Sequence, residues 1–428
     1  MHERKLLDKI LSRENLNRAY KQVKRKKGEP GIDGMTVSEL RSHIMKNKQE
    51  IITQIKQRKY QPSPVLRVEI PKDNGKGVRL LGVPTVQDRL IQQAISQVLT
   101  PIFDKKFSEY SYGFRPKRYA EMAIVQALEY MNDGYDWIVD IDLERFFDTV
   151  HHDRLMNLVS RTIDDGDVIS LIRKFLVSGV QINGRVEKTS IGTPQGGNLS
   201  PLLSNIMLNE LDKELESRKL RFVRYADDCI ILVKSDMAAR RVMRSITKFI
   251  EDKLGLIVNT SKSKVTKPYD PTLKFLGFGF FRDYKTKEYK AKPHQSSVNS
   301  FKYKLKELTR KNWSVDTKYQ VERLNQVIRG WINYFKKGEM KTILKKIEGH
   351  IRLRLRMCIW KKWKTAKNRR KNLIKLGMDK FNAYKYSHTS KGAVRIAYSW
   401  ILTTTITNKR LSQFGLVSCL EHYNKVHI

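Results

Sequence analysis

The sequence predicts an α+β protein in which an antiparallel sheet presents clustered carboxylates, followed by a helical and strongly basic C-terminal part. Three observations carry this. Arg221-Phe-Val-Arg-Tyr-Ala-Asp-Asp-Cys-Ile-Ile-Leu-Val233 sets two runs rich in β-branched and aromatic residues around Ala226, Asp227 and Asp228, the pattern of a hairpin with a tight polar turn. Trp137-Ile-Val-Asp-Ile-Asp-Leu-Glu-Arg-Phe-Phe-Asp-Thr-Val150 begins as an apolar strand with Asp140 and Asp142 at period two, on one face. Past Lys290 the alternation stops and helical, basic patterning replaces it.

The carboxylates matter because of their neighbours. An Asp in a turn is ordinary, since it bonds nearby backbone N–H groups. Two adjacent carboxylates between apolar strands repel each other unless a cation separates them. If the Asp142 strand lies beside the hairpin, Asp142 and Asp227 can hold a pair of Mg²⁺ ions about 3.5–4 Å apart, the arrangement used in phosphoryl transfer.

Composition narrows the partners. The 428 residues allow two to four domains, and 84 Lys and Arg against 44 Asp and Glu leave a net charge of +40. So large an excess points to a polyanion. Three scattered cysteines, Cys229, Cys358 and Cys419, provide neither a disulfide framework nor a Cys-rich zinc site, which fits a reducing cytoplasm. No apolar run has the length of a signal-peptide core or a membrane span, so a soluble protein is expected.

Along the chain, residues 1–60 read as basic helices, with Glu29-Pro-Gly-Ile-Asp-Gly34 as a loop. Val65–Lys72 and Val78–Pro84 read as strands joined by Asp73-Asn-Gly-Lys-Gly77. Lys72 and Arg79 near that turn are suited to a triphosphate, or are solvated charges on an exposed edge. Thr85 caps a helix that Pro101 stops. Tyr110–Arg118 is a loop in which Arg115 serves either phosphate or structure, and Tyr119–Asn132 is a helix. His151-His152 reads as a solvated helix start. Residues 153–190 are helix and then a hairpin turning at Asn183-Gly184. In Gly192-Thr-Pro-Gln-Gly-Gly-Asn-Leu-Ser-Pro201, Gly196 and Gly197 allow close backbone approach, and no Lys-Ser/Thr follows to make a P-loop. Leu202–Leu215 and Ala238–Leu254 read as amphipathic helices. From Arg352 to Lys371 ten basic residues occur with no acid, the signature of a groove along a nucleic-acid backbone, with Arg352, Arg354, Arg356, Lys361 and Lys362 its first members.

Tyr225-Ala-Asp-Asp228, the Asp142 segment ending in Phe-Phe-Asp, and Gly192–Pro201 between them resemble the three central palm motifs of reverse transcriptases, above all those of bacterial group II introns, also called maturases. The resemblance implies a right-hand polymerase. Its parts would be an N-terminal extension (1–60), fingers and palm with an antiparallel palm sheet (61–290), a helical thumb (291–371) and a small DNA-binding region (372–428). It implies Asp142, Asp227 and Asp228 as catalytic carboxylates. Two Mg²⁺ would sit on Asp142, Leu143, Asp227 and Asp228. Lys262, or Lys264, would be the acid for pyrophosphate. Lys72, Arg79, Arg115, Gln195 and Gly196 would contact nucleotide or template, and Phe147 or Phe146 would exclude a 2′-hydroxyl. Leu273–Phe280 is similar to the small hairpin that grips a primer.

The implied partners are intron RNA, an RNA template with a DNA or RNA primer, deoxynucleotides and target DNA, with no membrane or protein partner, in a bacterial cytoplasm. The tail has no Cys- and His-bearing endonuclease pattern, which matches the compact class called IIC. Two rival readings share residues with this one. An RNA-binding splicing cofactor would not need the carboxylates, and the enzyme of a retron, a diversity-generating element or a CRISPR locus would not need the thumb and tail.

Overall fold

The computed structural model describes residues 6–71, 77–189, 191–192 and 196–427. Lys72 and Gln195 lie outside these described residues. The chain divides into two compact units, Met1–Pro268 and Tyr269–Ile428.

The first unit opens with three helices, α1 (Leu6–Leu11), α2 (Arg13–Lys26) and α3 (Leu40–Lys56). The hairpin β1 (Val65–Pro71) and β2 (Val78–Val83) follows, then α4 (Val86–Asp104) and α5 (Ala120–Asn132). Thr85 caps α4 by accepting from the Asp88 N–H at 3.2 Å. The helix runs through Pro101 instead of stopping there. Proline so close to a helix end forfeits only one bond, and continuing the turn buries Phe103. After β3 (Trp137–Ile141) come α6 (Phe146–Thr149), α7 (His152–Ser160), α8 (Gly166–Leu176) and the short hairpin β4 (Val180–Ile182) and β5 (Arg185–Glu187).

The helix α9 (Ser200–Ser217) is buried on nearly every side, not amphipathic as its pattern suggested. It supports β6 (Arg221–Tyr225) and β7 (Asp228–Val233), with α10 (Asp236–Phe249) and β8 (Lys264–Thr266) completing the unit. Two four-stranded sheets result. One has the order β2-β1-β4-β5, and the other is the antiparallel sheet β6-β7-β3-β8. A single core links helices to sheet, including Ile95 and Leu99 of α4, Met207 and Leu208 of α9, and Phe222 and Ile231 of the catalytic hairpin.

The second unit starts earlier than the expected boundary near 290. The hairpin β9 (Phe278–Arg282) and β10 (Tyr289–Pro293) belongs to it because Phe278 packs on Phe335, ring centroids 4.8 Å apart. Leu273–Gly277 precedes these strands as a turn. Then come α11 (Gln295–Glu307), α12 (Thr317–Phe335), α13 (Lys341–Lys362) and six shorter helices between Ala366 and Val426. All three cysteines are buried and unpaired. No helix among the described residues is long and apolar enough to cross a membrane.

In β3, Asp140 lies between Ile230 of β7 and Lys264 of β8. Burial pushes its pKa up to about 6 from an ordinary 3.8, with Lys264 pulling it down and Asp142 pushing it up. An acid that holds its proton more tightly when folded makes the fold lose stability as pH rises from about 4 to about 6, and that loss persists above. Asp140→Asn should therefore flatten the slope in this window and raise stability at pH 7 by about 1–2 kcal/mol, read by urea unfolding across pH.

Candidate active site

The site is built on the turn between β6 and β7. Tyr225 pairs with Asp228, so Ala226 and Asp227 form a two-residue loop. Ala226 holds a left-handed φ of +57°, which costs a residue with a Cβ about 1 kcal/mol or more. Arg224 holds the loop there. Its guanidinium donates to the Ala226 carbonyl at 2.8 Å and to Asn205 Oδ1 at 3.1 Å, and grips both oxygens of Asp212 at 2.6 and 2.5 Å. The side chains of Arg224 and Asp212 are both 0% exposed. Two buried charges survive only because the fork geometry satisfies both partners.

A third layer closes over the turn. Backbone bonds tie Arg224 to Tyr110 and Tyr112 (2.9 and 2.8 Å), and Asn205 donates to the Gly113 carbonyl at 2.8 Å. A Cβ on Gly113 would stand 2.1 Å from the Ala226 nitrogen, so only glycine fits.

Asp142 arrives from the neighbouring strand. The last β3–β7 pair is Ile141 with Cys229, which carries Asp142 to the same edge of the sheet as the turn. Its N–H donates to Ser263 Oγ at 3.0 Å and its carbonyl accepts from the Asn259 N–H at 2.8 Å. Leu143 bridges to Val258 just beyond. Asp227 titrates above the usual carboxylate range, first through burial and then through the charge of Asp142, with Arg224 and Arg79 opposing. The two carboxylates therefore feel each other. Lys262 places its Nζ 3.1 Å from Asp142 Oδ2.

Asp228 is exposed at the start of β7, and no group of three carboxylate, His or Cys side chains gathers at metal-holding distance among the described residues. Asp228 pairs with Tyr225, and the register that sets Ile141 opposite Cys229 brings Asp142 to the same end of β7. Asp142 and Asp227 fit a hard divalent cation: their donors are carboxylate oxygens, burial and then the charge of Asp142 raise the Asp227 pKa, and an ammonium already neutralises Asp142.

Around this pair, Phe146 is buried in the core at 2% exposure. Phe147 lines a cavity of about 290 Å³ with Arg67, Leu80, Gly82, Arg145 and Ile191. Gly196 has φ +124°, and a Cβ there would meet the Gly82 carbonyl oxygen at 2.8 Å, so the glycine loop lies against β2. Arg79 is exposed on β2 opposite Ile70.

Several expectations change. Arg115 does not face a ligand. Its guanidinium is buried on the Asp104 carboxylate (2.7 Å) and the carbonyls of Asp104, Ser108 and Ser111, where it fixes its own loop. His152 is buried with its ring on the Gly192 carbonyl, not solvated. Among the C-terminal cations, Arg352 pairs with Glu348, and Arg354 donates to Thr309 Oγ1 at 2.6 Å. Arg356 is buried on the Ile406 carbonyl at 2.8 Å, and Lys362 donates to Thr317 and Gln320. Of the five residues named for the groove, Lys361 alone is exposed. The rest brace helices.

Sequence reasoning missed Arg224, Asp212, Asn205 and Gly113. A signal existed in the polar residues embedded in the apolar helix α9, since a buried Asp requires a cation.

A family model described as reverse transcriptase (RNA-dependent DNA polymerase) matches residues 70–280, and one described as group II intron, maturase-specific domain matches residues 298–377. Protein YkfC of Escherichia coli is 34% identical over 291 residues, covering 59% of this chain and 76% of that protein. The group II intron-encoded protein LtrA of Lactococcus lactis is 37% identical over 53% of this chain and 37% of its own length. The COX1/OXI3 intron 2 protein of Saccharomyces cerevisiae is 30% identical over 65% of this chain and 38% of its own length. The chain thus spans less than half of the last two.

Arg224→Met leaves Asp212 buried and unpaired, and should destabilise the first unit by about 3–5 kcal/mol in chemical unfolding. Combining it with Asp212→Leu should recover most of that stability. The double variant still lacks the bond to Ala226, so Mn²⁺ binding followed by EPR should stay weakened.

Proposed function

Because the chain belongs to the group II intron reverse transcriptase and maturase family, we propose that it copies RNA into DNA by adding deoxynucleotides to a primer 3′-hydroxyl, and that it binds intron RNA to assist splicing and retrohoming. The observation that carries this reading is the buried turn that holds Asp227 beside Asp142 with a lysine ammonium between protein and solvent. Asp142, Asp227, Asp228 and the Leu143 carbonyl would hold the divalent ions, two Mg²⁺ in this reading, which would supply neutralising charge for the attacking and leaving oxygens.

The remaining work is positioning and charge. Arg79, with Lys72, neutralises the incoming triphosphate. Phe147 faces its cavity where a sugar can rest on the ring, and so rejects a 2′-hydroxyl, while Phe146 anchors the segment in the core. Gly196, close against Gly82 of β2, lets backbone approach the nascent pair, and Gln195 is assigned to touch that pair. Lys262 is the acid for pyrophosphate. It rests on Asp142 and has to release that carboxylate to serve, whereas Lys264 lies in β8 opposite Asp140. The partners in this reading are intron RNA, RNA template with primer, deoxynucleotides and target DNA, and the compartment is the bacterial cytoplasm.

Asp227→Ala should reduce primer extension by about three orders of magnitude or more while intron splicing by the same preparation is largely kept. Equal loss of both would indicate misfolding and sink the assignment of Asp227. Phe147→Ala should let ribonucleotides compete, lowering the deoxy-over-ribo preference about tenfold or more in single-nucleotide extension.

A further inference from the structure

Phe147 rides on α6, a helix of only four residues. So short a helix does not hold its own geometry, because a single turn fixes several dihedrals for very few hydrogen bonds. Arg145, at its N-cap, sits in the left-handed region at φ +46° and makes no side-chain capping bond. Support for the ring has to come from outside the helix.

It comes from Gly192, a buried residue whose two backbone polar groups are both gripped by the segment that leaves α6. The Gly192 N–H donates to the Val150 carbonyl at 2.8 Å. The Gly192 carbonyl accepts from His152 Nε2 at 2.5 Å. Between these bonds, His151 and Ile191 form an antiparallel bridge. Gly192 has φ +92°, and a Cβ there would stand 3.1 Å from the Phe147 carbonyl oxygen and 3.0 Å from that of Asp148, so its backbone is pressed against the end of α6. Phe147, Asp148, Ile191 and Gly192 line one cavity of about 290 Å³, and His152 does not. It is buried behind that wall at 4% exposure. Burial holds its pKa below the ordinary 6.5 against the opposing pull of the Gly192 carbonyl. Near neutral pH the ring is therefore uncharged, and the single N–H it then carries is committed to Gly192.

We propose that His152 is a positioning residue for sugar selection: by holding the Gly192 carbonyl it keeps the cavity wall against Phe147, and so sets how strictly a ribonucleotide is refused. The inference rests on the reading of Phe147 as the sugar gate. Without the donor, the buried Gly192 carbonyl is left unpaired, the wall gives way, and a 2′-hydroxyl gains room.

The test is single-nucleotide extension by the full chain on an RNA template with a DNA primer, comparing deoxy- with ribonucleoside triphosphates in one preparation. Their ratio cancels the fraction of chain that is folded, so lost stability alone leaves it unmoved. His152→Leu should lower the deoxy-over-ribo preference about fivefold, chiefly through a lower KM for the ribonucleotide. His152→Gln, whose Nε2 can donate at the same place, should restore most of the preference. In a Phe147→Ala background His152→Leu should cost nothing further, because both act through one wall. An unchanged ratio in His152→Leu, equal losses in the Leu and Gln variants, or additive losses in the double variant would each overturn the proposal. An unchanged ratio in His152→Leu beside a lowered one in Phe147→Ala sinks this inference alone, whereas an unchanged ratio in Phe147→Ala removes the gate reading and this inference with it.

Discussion

The ion pair of Arg224 with Asp212 is the constraint on which the active site depends. Removing two charges from water costs several kcal/mol each, and the attraction repays this only when every donor and acceptor finds a partner. Here they do. Arg224 spends its remaining donors on Asn205 and on the Ala226 carbonyl, so the pair's own satisfaction fixes the strained turn that carries Asp227. Asp212 and Asn205 belong to α9, whose start adjoins the glycine loop. One buried helix therefore ties the nucleotide-facing loop to the carboxylate-bearing turn.

The electrostatics of the site follow from that rigidity. Burial first, and then the charge of Asp142, raises the Asp227 pKa, and nearby positive charge from Arg224 and Arg79 opposes the rise. Lys262 supplies positive charge at Asp142. A site of this kind favours a small hard cation.

Much of this was legible in the sequence because local patterns coincide with the fold. The catalytic hairpin and the Thr85 cap follow from periodicity and turn chemistry, while the place of Asp142 beside that hairpin and the choice between Phe146 and Phe147 were open until the strands were paired. What was not legible depended on tertiary partners. Arg115 stayed open between phosphate and structure, and Arg356 read as a phosphate contact, because a lone arginine in a basic chain carries no sign of whether carbonyls await it. The helix through Pro101 reflects burial of Phe103, a contact no local window contains. The C-terminal run showed its charge in the sequence but not its division, since the same composition serves to brace α13 and to face solvent.

The buried cysteines have a practical bearing. Desolvation raises all three thiols, Cys419 to about 12 and Cys229 and Cys358 in the same direction, so at neutral pH none offers a thiolate to solvent. The native chain is in effect silent toward maleimide and iodoacetamide reagents. A single cysteine introduced on an exposed helix would then accept a fluorophore without first stripping the natural ones, opening the two units to distance measurements in the working enzyme.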